Sequence, residues 1–326
     1  MRRVFLLLLF LSVLACSVYA QIKEDNVLLT IGVSNYQRPK IYVDCVQTPL
    51  IHAEFHNNGE QKHTYRFNLE DMAEVLINGN ISVFLMPGDS LVVSIVYEGK
   101  NMSKIDYWGN EQAVRNNDFY RSVNGIKKEL RYKSQLLANA VLNITPQERM
   151  RVSDEYLLRV KEIVSKSEGV SNDVKEYIMA GVEADVYLSY MEYPLMYEEL
   201  RKKSISEQGI GEYWDIMQGF RIRDGKGALL NPNYLSMLMR YSFFMNEKNS
   251  HEKGIEYQRP QMLEGMYTEF AATYDGDIRD AVLYTLLTNF IRSGKEIERV
   301  DPLLRDYKEK YNKNSRYIEI IESLLR

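Results

Sequence analysis

Tyr107-Trp108-Gly109-Asn110 divides the 326-residue chain into two patterns. Before it, from Asn26, short apolar runs rich in β-branched residues are broken by turn residues. After it, apolar residues recur in three- and four-residue steps, as at Phe119, Val123, Ile126 and Leu130. Side chains return to one face every second residue in a strand and about every 3.6 residues in a helix. The chain therefore reads as α+β: an N-terminal antiparallel β-sandwich over residues 21–110, then a larger all-α region of packed helical hairpins over 111–326.

Working back from the divide, seven runs read as strands: Val27 to Val33, Lys40 to Val46, Leu50 to Phe55, His63 to Leu69, Glu74 to Ile77, Ile81 to Met86 and Leu91 to Tyr97. That many short strands suggests a sandwich or open barrel. Asn78-Gly79 lies between two apolar runs, and both residue types tolerate the positive φ of a tight hairpin. Pro87-Gly88 is a second turn.

Working forward, Thr145-Pro146-Gln147-Glu148 is a helix start: threonine caps free amides, proline suits the first turn, and glutamate reaches back. Asp301-Pro302 and Asp277 before Ile278 are weaker versions of that signal. Breaks are expected at Ser167 to Gly169, Gly209 to Gly211, Asp224 to Gly227, Asn246 to Gly254 and Ser293-Gly294, leaving seven to nine helices.

At the other end of the chain, Arg2 and Arg3 precede the apolar run Val4 to Leu11, and small residues lead to Ala20 before Gln21. This charged, apolar, cleavable order is that of a secretory signal peptide over residues 1–20, and it places the mature chain in the periplasm or otherwise outside the cytoplasm. A competing reading takes Val13-Leu14-Ala15-Cys16 as a lipoprotein box, with Cys16 lipidated and the protein held at the outer membrane. No other stretch approaches the roughly 20 apolar residues of a transmembrane span, so none is expected in the mature chain. Loss of Arg2 and Arg3 takes the formal charge from −4 to about −6, with basic residues scattered, so no nucleic-acid partner is expected. Cleavage after Ala20 also removes Cys16, leaving Cys45 alone of two cysteines. Its setting, Ile41-Tyr42-Val43-Asp44-Cys45-Val46, points to a thiol buried in a strand.

Leu85-Met86-Pro87-Gly88-Asp89-Ser90-Leu91, then Tyr107-Trp108-Gly109-Asn110 and Asn116-Asn117 at a helix start, resemble the N-terminal region of the thioredoxin-like (TlpA-type) disulfide reductases of the Bacteroidota. The resemblance implies a β-sandwich with a Pro-Gly-Asp turn leading into a helical region, with a thioredoxin domain to follow. This sequence stops at Arg326, where such a domain would begin, and contains no Cys-x-x-C. Thiol exchange needs an attacking thiolate with a resolving cysteine near it, so none of the family's catalytic residues carries over.

Other constellations are weaker. His52, Glu54 and His56 fall on one face of a strand, with His63 after a turn at Asn58-Gly59, a set of zinc-ligating types; the spacing is common by chance, and a solvated sheet face or hairpin rim is the favoured reading. Asp275-Gly276-Asp277 with Asp280 offers three carboxylates but lacks the later glutamate of a calcium loop, and Asp277 reads as a helix cap. Tyr177, Tyr187, Tyr190, Tyr193 and Tyr197 cluster around Pro194, on spacing that suits a packed helix or a sugar platform. Asp89-Ser90-Leu91 also matches a short O-glycosylation sequon. No phosphate-binding loop, nucleophile elbow or dinucleotide fingerprint is present.

The expectation is therefore a non-catalytic exported binding or docking module without a cofactor, related to the front of a thioredoxin-like reductase. Its partner would be an envelope protein or a separate thioredoxin-like domain. The alternatives are a metal-dependent envelope hydrolase using His52, Glu54, His56 and His63, and a glycan-processing accessory.

Overall fold

A computed structural model describes residues 25–59, 62–134 and 143–326. The expected signal peptide lies outside the described residues, and Cys16 with it. The fold is α+β, with two four-stranded sheets ahead of nine helices among the described residues.

The strands are β1 (Val27–Ser34), β2 (Lys40–Cys45), β3 (His52–His56), β4 (Lys62–Phe67), β5 (Ala73–Ile77), β6 (Ile81–Leu85), β7 (Ser90–Glu98) and β8 (Asn101–Gly109). One sheet runs β4-β1-β7-β8 and the other β3-β2-β5-β6. Every pairing is antiparallel except β1 with β7, which run parallel. Alternation decides which side chains enter the sandwich: Leu29 and Ile31 from β1, Leu91 and Val93 from β7, Val43 from β2 and Val75 from β5 meet in one buried cluster. Cys45 joins them with a free thiol, as its apolar run implied. β8 is a strand the sequence pattern does not reveal, because its residues are mostly exposed or half-buried and lack alternation.

β6 breaks the alternation for a physical reason. Val83 faces the sandwich, while Phe84 belongs to the cluster formed with the helices, so the strand is apolar on both faces. The hairpin before it turns as expected, with φ of 54° at Asn78 and 73° at Gly79.

The helices are α1 (Glu111–Glu129), α2 (Pro146–Lys166), α3 (Asn172–Arg201), α4 (Lys226–Leu229), α5 (Pro232–Glu252), α6 (Leu263–Thr273), α7 (Gly276–Arg292), α8 (Val300–Lys310) and α9 (Ser315–Leu324). α1 packs on β6, β7 and β8; α3 packs on α2, α4 and α5; α7 packs on α5, α6, α8 and α9. Thr145 caps α2 as expected, its Oγ1 accepting from the Glu148 amide over 3.2 Å. Glu148 does not reach back, because its carboxylate takes the Arg151 guanidinium instead.

Two further expectations need correction. Asn246 to Gly254 is not a break throughout: α5 runs on to Glu252, since Asn246 donates to Glu269, Glu247 receives Arg240 and Arg259, and Lys248 donates to the Trp214 carbonyl. The polar run is one face of a helix tied to its neighbours. Nor does Asp277 cap α7. The N-cap position is Asp275, and Asp277 sits exposed in the first turn, 3.5 Å from Lys313.

Polar side chains join the sandwich to the helices. Asn117, fully buried, accepts from the Phe84 amide and donates to the Phe84 carbonyl, both at 2.8 Å, so that its amide pairs with the edge of β6 as a further strand would. Gln47 donates to the Leu230 carbonyl and to the Tyr177 hydroxyl, and accepts the Glu74 amide. Lys226 of α4 pairs with Asp71 in the loop before β5.

Candidate functional site

Between that loop, the end of β2 and the helices lies a cleft with about 70 Å³ of enclosed space that opens to solvent. Residues one turn apart on α7 supply one wall: Tyr284, Thr288 and Arg292 recur at four-residue steps and share a face. Arg316, Tyr317 and Ile320 at the start of α9 supply the adjoining wall, and Met72, Leu229, Leu230 and Leu235 the apolar lining.

A buried carboxylate fixes the second wall. Asp280, 2% exposed, accepts from the backbone amides of Lys313 and Asn314 at 2.8 and 3.0 Å, from the Asn312 side chain at 3.3 Å, and from the Tyr307 hydroxyl. These four bonds hold the connection between α8 and α9. Asn314 then caps α9 by accepting from the Arg316 amide over 3.1 Å. The result is an aromatic pair across the cleft wall: the Tyr284 and Tyr317 rings stack with centroids 4.0 Å apart and planes 10° from parallel.

The charges at the cleft are unequal. Arg292 and Arg316 carry two guanidinium groups, and neither has an ion-pair partner among the described residues. The lining carboxylate, Asp71, is already neutralised by Lys226. Burial pushes the Tyr284 phenol up to about 12, with the positive charges of Arg292 and Arg316 pulling the other way. Burial also raises Tyr317. The hydroxyls of Thr285 and Thr288 donate to helix carbonyls at 2.8 and 2.9 Å. The buried Cys45 thiol is raised by burial and stays protonated near neutrality. The cleft thus offers two cationic forks, aromatic rings and apolar surface, with its threonine hydroxyls committed and no histidine among its lining residues.

The residues singled out in sequence lie elsewhere. His52, Glu54 and His56 do share the exposed face of β3, where His52 Nδ1 meets Asp44 at 2.7 Å and Glu54 meets Lys40 at 2.6 Å. His63 does not join them. β3 and β4 belong to different sheets, so the turn at Asn58-Gly59 crosses the edge of the sandwich, and His63 points inward to stack on Phe55 with centroids 4.9 Å apart. Among the described residues, no group of three or more His, Cys, Asp or Glu is placed to hold a metal ion. Tyr177, Tyr187, Tyr190 and Tyr193 are buried in the helical core, and Tyr197 is half-buried. Asp89 is buried and occupied by hydrogen bonds from Met86 and Asn110. The cleft residues were missed, although the four-residue steps Tyr284, Thr288 and Arg292 carried a signal for one helix face.

No family model, curated protein or solved structure matches the chain. Among the described residues no helix is long and apolar enough to cross a membrane.

Proposed function

We propose that the protein is a non-catalytic, exported binding module related to the front part of thioredoxin-like reductases, and that its ligand enters the cleft between sandwich and helices. The observation that carries this reading is the pair of guanidinium groups, Arg292 and Arg316, which have no carboxylate partner among the described residues and lie beside stacked tyrosines. Arg223, by contrast, makes two bonds of 2.6 and 2.8 Å to Glu183. Accessible cationic forks at an apolar cleft suit ligand capture. Export rests on the charged and apolar order of the N-terminal residues.

The test is a thermal-shift screen of the mature chain against a chemically mixed set of small molecules, run beside Asn289→Trp. Asn289 is an exposed residue of the cleft lining, so the indole obstructs the cleft without disturbing the core. Ligands that raise the Tm of the wild type and leave the variant unmoved support the reading. Turnover of ester or peptide substrates that is lost on chelating zinc overturns it in favour of a hydrolase.

A further inference from the structure

We propose that the cleft takes a small carboxylate carried on an apolar body, with Arg292 and Arg316 clamping the carboxylate and the stacked Tyr284–Tyr317 pair lying along one side of the body; this deepens the binding reading and rests on it. The chain is acidic overall, at −4, yet this cleft presents two guanidinium groups with no ion-pair partner among the described residues, against one carboxylate that Lys226 already neutralises. A guanidinium offers two parallel N–H donors that match the two oxygens of a carboxylate. Both arginines line this one cleft, Arg316 half-buried and Arg292 exposed.

Polarity argues against a bare inorganic anion. Met72, Leu229, Leu230, Leu235 and Ile320 line the cleft with apolar surface that an ion alone would leave wet. A doubly charged phosphate would also meet a steeper desolvation penalty beside that surface than a single carboxylate does. An alkyl or aryl body covers the leucines and one tyrosine face, and burial of that surface supplies the larger share of affinity. The walls are also held in place before any ligand arrives, because Asp280 pins the start of α9 and Gln47 pins the loop after β2. A site fixed in advance loses less conformational entropy on binding.

Titration calorimetry of the mature chain tests this with decanoate and 4-phenylbutyrate as the carboxylates, decanamide as the uncharged counterpart and inorganic phosphate as the bare anion. The expected result is binding of at least one carboxylate, weakened tenfold or more by Arg292→Gln/Arg316→Gln and abolished by Asn289→Trp. Preference for decanoate identifies a fatty acid as the source and preference for phenylbutyrate an aromatic acid; either supports the proposal. Decanamide binding as tightly as decanoate, phosphate binding on its own, or a double variant that binds like the wild type overturns it. Neutral ligands that bind and are blocked by Asn289→Trp would sink the carboxylate assignment while leaving a binding module. No binding of any screened compound would sink both. Arg292 is exposed, so Arg292→Gln alone folds, and its expected loss of a few fold keeps the test standing should the double variant not fold.

Discussion

The side-chain amide of Asn110 donates to Oδ1 of Asp89 over 2.9 Å, while its own oxygen accepts the Ser90 backbone amide over 2.8 Å. The turn that closes β6 and the residue that opens α1 therefore hold one another, which is why Pro87-Gly88-Asp89 and Trp108-Gly109-Asn110 act as one structural unit though they are 20 residues apart.

Asp89 makes this junction sensitive to pH. Burial pushes its carboxyl above the usual aspartate range, against the opposing hydrogen bonds from Asn110 and Met86. A carboxyl raised in the native state binds its proton more tightly than the unfolded chain does. Its contribution to stability is therefore fully present below the ordinary aspartate value of about 4 and declines as pH rises through the raised value. Asp89→Asn removes that titration. Urea unfolding of both proteins across this range should show the variant gaining on the wild type as pH increases, whatever its offset; a flat difference contradicts the assignment.

Gly109 closes the same junction from the other side. Its φ is 150°, and a Cβ there would lie 2.0 Å from the Ser90 carbonyl oxygen. That neighbour is backbone, so the clash is relieved only by opening the β7–β8 ladder. Gly109→Ala should cost about 3 kcal/mol, combining strain with lost pairing. Chemical denaturation measures it, and a cost below about 1 kcal/mol would mean that the strands part freely.

Asn117 is the polar rivet between sandwich and helices. Asn117→Ala leaves the Phe84 amide and carbonyl without their partners in a buried setting, with the Ala113 carbonyl also losing a donor. Each buried group so stranded costs about 1–3 kcal/mol, so a total of about 3 kcal/mol or more is expected. Hydrogen exchange at the Phe84 amide should accelerate in the variant more than exchange in the centre of β1.

How far the sequence revealed all this varies by residue. Leu29, Val43 and Val93 declared their faces through alternation, because one side of each strand meets the core and the other does not. Phe84 obscured its strand by being buried on the opposite face, and β8 left no alternation at all. His63 looked like a neighbour of His56 because sequence distance is short, but the chain changes sheets between them. Arg292 and Arg316 could not be paired in advance: they lie on separate helices and meet only through the hydrogen bonds of Asp280. Local periodicity reads faces; it does not read which faces meet.

The Cys45 thiol should be chemically quiet. It is 8% exposed, raised by burial, and contacts Gln47 over 3.6 Å. Ellman's reagent at pH 8 should react with it in the native protein at a rate at least a hundredfold below that in denaturant, since reaction requires both exposure and thiolate. Rapid reaction of the folded chain would instead mark an opening of the loop Val46 to Thr48, which borders the cleft.

Asp280 joins stability to the cleft. Asp280→Ala strands four donors at once, from Tyr307, Asn312, Lys313 and Asn314. Because two are backbone amides that fix the entry to α9, the loss should reach about 3–5 kcal/mol, well above that of a single surface contact. Asp277→Ala is the matched control: Asp277 is largely exposed, and its removal should change stability by no more than about 0.5 kcal/mol. The two variants also differ in what they do to the binding wall. If the buried carboxylate positions Tyr317 against Tyr284, the near-ultraviolet circular dichroism of the tyrosines should weaken in Asp280→Ala below its unfolding transition and stay unchanged in Asp277→Ala. Equal spectra in both would show that the Tyr284–Tyr317 stack holds α9 without help from Asp280.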